Sequence, residues 1–122
     1  MTKILVVDDE VKECELLRRF FEKKGYTVIT SNNGMDAIEK VQNESPDIML
    51  LDIRMPGMDG IEVLKCVRES NKKIGIIMVT AVMDEDIAKN TMKLGADEYI
   101  TKPIDLERLE MHVLVDLIMR EK

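Results

Sequence analysis

The sequence has little of several residue types on which other protein classes depend. Two cysteines, Cys14 and Cys66, occur in 122 residues, and they lie far apart. Their spacing fits neither a zinc site nor a disulfide framework, so we expect both thiols to be reduced and buried as small apolar side chains. Tryptophan is absent, and the aromatic residues are two phenylalanines and two tyrosines. The core must therefore be filled by leucine, isoleucine, valine and the ten methionines.

Positive charge and long apolar runs are also scarce. The chain has 18 Lys and Arg against 24 Asp and Glu, a net charge of -6, which disfavours direct binding of nucleic acid. No apolar run approaches the roughly 20 residues that a membrane-spanning helix needs, and the N-terminal residues lack the pattern of a signal peptide. We therefore expect a cytoplasmic protein without membrane association, and one globular domain over residues 1–122.

The sequence does contain a regular alternation of short apolar runs and amphipathic stretches. Apolar runs of this length, ended by polar residues, are typical of strands buried on both faces. The predicted strands are Lys3–Val7, Thr27–Thr30, Ile48–Leu51, Ile76–Val79 and Tyr99–Thr101. Stretches with helical spacing follow them, namely Val11–Lys24, a helix around Ala37–Val41, a helix around Ile61–Val67, Asp84–Leu94 and Leu106–Met119.

This alternation predicts an α/β fold with a mostly parallel sheet and helices on both of its faces. Five strand-helix units are too few for a barrel, which needs eight. We therefore expect a flavodoxin-like (βα)5 fold, a doubly wound three-layer sandwich. In such sheets, ligands bind outside the carboxyl ends of the strands.

Polar side chains stand at those strand ends. Asp8 and Asp9 follow the first strand, Asp52 the third, Thr80 the fourth and Lys102 the fifth. Carboxylates placed so close repel one another unless a cation intervenes, and Mg²⁺ prefers carboxylate, water and phosphate oxygens. Asp9 and Asp52, supported by Asp8, therefore predict a magnesium site. The absence of His and Cys from these strand ends disfavours zinc.

A series of short motifs occurs in order along nearly the whole chain. The motifs are Asp8-Asp9, Asp52, the loop Met55–Gly60, Thr80-Ala81, Gly95–Asp97 and Lys102-Pro103. One of them alone would be weak evidence, but all of them fall at or beside strand ends. Together they resemble the receiver domain of bacterial two-component response regulators.

The resemblance implies a five-stranded parallel sheet of order 2-1-3-4-5 and a phosphorelay function. Asp52 would accept a phosphoryl group from the phosphohistidine of a sensor histidine kinase or a phosphotransfer protein. Mg²⁺, with Mn²⁺ as a substitute, would be held by Asp8, Asp9, Asp52 and the backbone carbonyl of Arg54. The protein would then be a signalling phosphoprotein that assists its own phosphorylation and dephosphorylation, and not an enzyme.

The resemblance also implies roles for the other residues at the strand ends. Lys102 would supply positive charge, Thr80 a hydroxyl donor to the phosphoryl group, and Tyr99 would be the switch aromatic that moves as Thr80 is drawn inward. The Lys102-Pro103 bond is a candidate cis peptide. Output would pass through helix 4, strand 5 and helix 5, either to an effector domain or protein or by homodimerisation. The apolar end of helix 5 exceeds one core-facing stripe, which favours an interface there.

Three alternatives stay open at this stage. A flavodoxin-like electron carrier shares the architecture, but Asp8, Asp9 and Glu10 would repel a phosphate that lacks a metal. A haloacid-dehalogenase-type phosphohydrolase would have a second acid where Arg54 stands. The third alternative is a receiver-like interaction module that works without phosphorylation.

Overall fold

The computed structural model describes residues 1–120, and five strands alternate with five helices along them. The strands are β1 (Lys3–Val7), β2 (Thr27–Ser31), β3 (Ile48–Leu51), β4 (Gly75–Thr80) and β5 (Glu98–Thr101). The helices are α1 (Val11–Lys23), α2 (Gly34–Glu44), α3 (Gly60–Ser70), α4 (Glu85–Lys93) and α5 (Leu106–Arg120). The predicted alternation is confirmed, and the predicted boundaries differ from these by a few residues.

All five strands form one parallel sheet of order β2-β1-β3-β4-β5, as predicted. The register decides which strand ends become neighbours. Val7 of β1 pairs with Leu51 of β3, so the residues that follow them, Asp8 and Asp52, leave the sheet side by side. Thr80 of β4 pairs in the same way with the last residue of β5.

Apolar side chains fill both faces of the sheet because alternate residues of each strand point in opposite directions. Leu5 and Val7 of β1 pack with α2 and α3 on one face. Ile4 and Val6 pack with α1 and α5 on the other. The three-layer architecture follows from this division.

Polar residues at loop positions fix where several helices begin. The side chains of Asn33, Asp59 and Asp84 each accept a hydrogen bond from the backbone N–H three residues later, at the starts of α2, α3 and α4. Such N-caps satisfy a donor that the helix itself leaves unpaired. These three caps therefore fix the starting residues of α2, α3 and α4.

Two predictions about burial are wrong. Cys14 is buried, but Cys66 is exposed, because α3 turns Val63, Leu64 and Val67 toward the sheet and leaves Cys66 on the solvent side. The methionines are not all core residues either. Those exposed are Met1, Met35, Met83, Met92, Met111 and Met119.

Within residues 1–120, the helices are too short or too polar to cross a bilayer.

Candidate functional site

Three carboxylates meet at the carboxyl edge of the sheet. One oxygen each from Asp8, Asp9 and Asp52 lie within 4.8 Å of one another. Asp8 and Asp52 are buried, whereas Asp9 is exposed. This is the predicted set, and oxygen donors at this spacing, two held by the fold and one open to water, fit a hard divalent cation such as Mg²⁺.

Local hydrogen bonds orient the two buried carboxylates. Asp8 Oδ1 accepts from the backbone N–H of Glu10 at 2.9 Å, and Asp52 Oδ1 accepts from the backbone N–H of Ile53 at 2.7 Å. The Asn32 side chain also donates to the Asp8 carbonyl oxygen at 2.9 Å. One oxygen of each carboxylate is thus held by the backbone, and the other is left for a cation.

Lys102 supplies positive charge between the same two carboxylates. Its Nζ lies 2.8 Å from Asp8 Oδ2 and 3.2 Å from Asp52 Oδ2. The Lys102-Pro103 peptide is cis, as anticipated. Burial opposes the charged ammonium, but the hydrogen bond and charge of Asp8, with the charge of Asp52, raise the pKa of Lys102 above its usual value. Lys102 therefore stays protonated in the site.

Burial has the opposite consequence for the Asp8 carboxyl. It raises the pKa of Asp8, although the hydrogen bonds from Lys102 and Glu10 partly offset the increase. The Asp52 charge raises that pKa further. The carboxylates at this edge therefore repel one another, and the single ammonium compensates only part of that repulsion.

A fourth carboxylate, which was not predicted from the sequence, lies at this edge. Glu13 Oε1 lies 3.6 Å from Lys102 Nζ. Glu13 lies in the first turn of α1, where an acidic residue is ordinarily explained by the helix dipole. Its position four residues after Asp9 was the available signal, because only three residues separate β1 from α1.

Thr80 and Tyr99 both contact the backbone of Val82. Thr80 is fully buried, and its Oγ1 accepts a hydrogen bond from the Val82 N–H at 3.2 Å. The Tyr99 hydroxyl donates to the Val82 carbonyl at 2.6 Å. The two residues predicted to form the switch are therefore connected through the backbone of Val82.

Arg54 lies on the loop that follows β3. This loop borders a shallow depression beside the cluster, and the depression is lined by Asp9, Ile53, Arg54, Met55, Pro56 and Asp59. The Arg54 side chain is exposed. Coordination by its backbone carbonyl stays a prediction.

The chain matches a known protein family over most of its length. Residues 4–114 match the sequence model of the response regulator receiver domain. The chain belongs to the response regulator receiver domain family. Membership in this family sets aside the electron-carrier and phosphohydrolase alternatives.

Curated relatives of this receiver domain include longer proteins. The transcriptional regulatory protein ZraR of Klebsiella oxytoca is 42% identical over 108 residues, which are 88% of this chain and 24% of that protein. The alkaline phosphatase synthesis transcriptional regulatory protein PhoP of Bacillus subtilis is 42% identical over 97% of this chain and 48% of its own length. The chain thus spans a quarter to a half of these two relatives. It covers 86% of the Bacillus subtilis sporulation initiation phosphotransferase F, to which it is 39% identical over 88% of its own length.

Solved receiver structures superpose closely on this one. A CheY-like receiver domain protein from Methanospirillum hungatei has a TM-score of 0.96 at 28% identity, covering 99% of this chain and 97% of that one. The response regulator TrrA of Thermotoga maritima, solved in complex with Mg²⁺ and BeF, has a TM-score of 0.86 at 36% identity, with 94% and 98% covered.

Proposed function

We propose that Asp52 is the phosphoacceptor of this receiver domain. The observation that carries the proposal is the clustering of the Asp8, Asp9 and Asp52 oxygens, with the Lys102 ammonium bonded to two of these carboxylates. A carboxylate needs little activation to attack phosphorus in line, so catalysis consists mainly of positioning and charge neutralisation. The Asp52 oxygen would bond to phosphorus as the bond from phosphorus to the donor breaks, with phosphohistidine of a sensor kinase or phosphotransfer protein as the donor.

Asp8, Asp9, Asp52 and the Arg54 carbonyl would hold Mg²⁺, for which Mn²⁺ would substitute. The bound ion would neutralise charge on the phosphoryl oxygens. The fit rests on the oxygen-only donor set and the 4.8 Å clustering of its carboxylates.

Lys102 would donate to a second phosphoryl oxygen, for which its Nζ stands next to Asp52. Thr80 would turn its hydroxyl from the Val82 N–H to the phosphoryl group and so withdraw an acceptor from that backbone. Tyr99, bonded to the same residue, would respond to this change. This shared contact supports the assignment of Thr80 and Tyr99 as the switch pair.

The output surface would include α4, β5 and α5, through which the receiver would contact an effector domain, an effector protein or a second copy of itself. Exposed apolar residues on α5 support an interface there. They are Met111, Leu114, Val115, Ile118 and Met119. The proposal includes a single receiver domain over residues 1–122 in the bacterial cytoplasm, without direct contact to nucleic acid. Residues 121–122 lie outside the described part of the chain.

The test is incubation with acetyl phosphate and Mg²⁺ followed by intact mass measurement. We expect one added phosphoryl group on the wild type, none on Asp52→Asn and none in EDTA. Asp86→Asn, which changes an exposed aspartate on α4, is the matched control and should still gain mass. A wild type that stays unmodified both with acetyl phosphate and with phosphorylated kinase would instead favour the phosphorylation-independent interaction module.

A further inference from the structure

The Lys102 ammonium is already surrounded by carboxylates before any phosphoryl group arrives. Its three nearest acidic partners are Asp8 at 2.8 Å, Asp52 at 3.2 Å and Glu13 at 3.6 Å. An ammonium has three protons to donate. A phosphoryl group on Asp52 must therefore compete with these carboxylates for Lys102.

Glu13 has no role in the proposed chemistry, unlike the other two carboxylates that contact Lys102. Asp8 belongs to the proposed metal site and Asp52 is the proposed phosphoacceptor, whereas Glu13 reaches the cluster from α1 and has neither role. Its side chain is 27% exposed, compared with 47% for Glu15 on the same helix. An ion pair in this partly enclosed position is screened less by solvent than a surface pair.

The cluster already has an excess of negative charge. The Asp8, Asp52 and Glu13 carboxylates share the Lys102 ammonium, and the Asp9 carboxylate lies beside those of Asp8 and Asp52. Acetyl phosphate, a dianion at neutral pH, has to enter this field. Glu13 therefore opposes phosphoryl transfer in two ways. Its negative charge repels the incoming donor, and its ion pair with Lys102 occupies the ammonium that the phosphoryl group needs.

We infer that Glu13 is a positioning residue that holds Lys102 in the unphosphorylated state and slows the transfer of a phosphoryl group to Asp52. The inference rests on the proposed function. The same negative charge should favour Mg²⁺ in the unphosphorylated protein. Removing it should therefore change metal binding and phosphoryl capture in opposite directions.

Glu13→Gln is the informative variant because it keeps the size of the side chain and removes its charge. At saturating Mg²⁺, we expect its phosphorylation by acetyl phosphate to be about three- to tenfold faster than that of the wild type, the effect of one partly screened charge. The gain should shrink at high salt, and it should be smaller with phosphoramidate, which has a lower net charge. Titration calorimetry should show Mg²⁺ binding about two- to fivefold weaker.

Two controls separate this role from a general effect on α1. Glu15→Gln removes an exposed charge of the same helix, and Glu13→Asp keeps the charge at position 13. Glu15→Gln should capture phosphoryl groups at nearly the wild-type rate. Glu13→Asp, which keeps the charge but shortens its reach to Lys102, should have a rate between those of the wild type and Glu13→Gln. A merely structural contribution of Glu13 to the helix would lower metal binding and phosphoryl capture together.

The outcomes are distinct from those of the phosphoacceptor test. If the wild type is phosphorylated on Asp52 but Glu13→Gln is no faster, or if Glu15→Gln gains as much, the role of Glu13 is wrong and the proposed function stands. If the wild type is not phosphorylated by any donor, the proposed function itself fails. Faster capture with weaker Mg²⁺ binding, confined to Glu13→Gln, supports the inference.

Discussion

The two edges of the sheet both bury charged side chains, but they balance those charges differently. At the carboxyl edge, the Asp8, Asp52 and Glu13 carboxylates contact one ammonium, and the Asp9 carboxylate lies beside them. At the opposite edge, two arginines and two aspartates face one another. These are Arg68 of α3, Asp97 before β5, and Asp116 and Arg120 of α5.

The opposite edge is called the balanced edge because its two arginines face two aspartates. Its charged side chains form hydrogen bonds mainly with other groups of the chain. Arg68 donates to the backbone carbonyls of Gly95, Asn71 and Ile74. Asp97 Oδ2 accepts from the Ile76 N–H at 3.0 Å and from Arg120 Nε at 2.7 Å. Paired charges of this kind fix neighbouring elements against one another.

The balanced edge therefore has a structural role, whereas the carboxyl edge is a site. Most of the charged groups at the balanced edge are paired within the chain, although Arg68 Nη2 and Asp116 Oδ2 have no hydrogen-bond partner among the described residues. An excess of carboxylates is instead stabilised by a cation from solution.

Arg68→Met should cause the largest loss of stability. It leaves the Asp97 and Asp116 carboxylates with less compensation and three backbone carbonyls without their donor, so the free energy of unfolding should fall by about 3–5 kcal/mol. Lys102→Met should cost less in Mg²⁺, because the ion replaces the lost positive charge. Urea unfolding with and without Mg²⁺ checks both variants. A larger gain from Mg²⁺ in Arg68→Met than in the wild type would contradict the division between the edges.

Gly60→Ala should be nearly as damaging, but at the acidic edge. A methyl group at position 60 would stand 2.0 Å from the Asp52 carbonyl oxygen, so the end of β3 must move, at a cost of about 3 kcal/mol. Gly57→Ala is the matched control on the same loop, since it meets no atom within 4 Å and has only its φ of +77° to maintain. The control should lose about 1 kcal/mol. Thermal unfolding distinguishes them, and equal losses would mean that close packing at Gly60 is unimportant.

Mg²⁺ should stabilise the protein through the acidic edge alone. At ten times its dissociation constant, a ligand that binds only the folded state adds about 1.4 kcal/mol to the free energy of unfolding. Asp9→Asn should lose most of this gain. Asp86→Asn should keep the gain, and EDTA should reverse it in the wild type and in Asp86→Asn. A similar gain in Asp9→Asn would place the ion elsewhere.

Asp116 should make the balanced edge sensitive to pH. Burial and its contact with Asp97 raise the pKa of Asp116 to about 7. The folded protein therefore keeps a proton that the unfolded chain releases between about pH 4 and pH 7. The stability that this proton provides is complete below pH 4 and is lost as the pH rises through 7.

Asp116→Asn removes this dependence because an amide resembles the protonated acid. Relative to the wild type, the variant should gain about 1 kcal/mol in the free energy of unfolding between pH 6 and pH 8. Urea unfolding at the two pH values measures the change. Glu69→Gln, at an exposed position of α3, should show none. A constant difference between Asp116→Asn and the wild type would refute the raised pKa.

The fold and the centre of the acidic site could be predicted from the sequence because both depend on local patterns. Strand ends are marked where apolar runs stop, and the parallel register brings Asp8 next to Asp52 without any further information. Lys102 follows from the same rule on β5. These features need only the periodicity and the order of elements.

The remaining features depend on which side chains meet across the fold. Glu13 looks like an ordinary first-turn acid until Lys102 is placed beside it. The Arg120–Asp97 pair joins the end of α5 to the loop before β5, and no short motif marks such a contact. The prediction for Cys66 was wrong for a related reason, since the rotation of α3 about its axis decides whether this side chain faces the sheet or solvent.

Strand β5 links the two edges directly, and this has a mechanical consequence. Asp97 immediately precedes the strand and is fastened to Arg120 and to β4, while Lys102 immediately follows it. The four residues between them span only roughly 13 Å. The backbone N–H of Lys102 also donates to the Thr80 carbonyl, so both ends of β5 are held and the strand cannot slide along β4. The balanced edge therefore sets the height at which the Lys102 side chain leaves the sheet, and the ammonium moves by rotation about its own side-chain bonds.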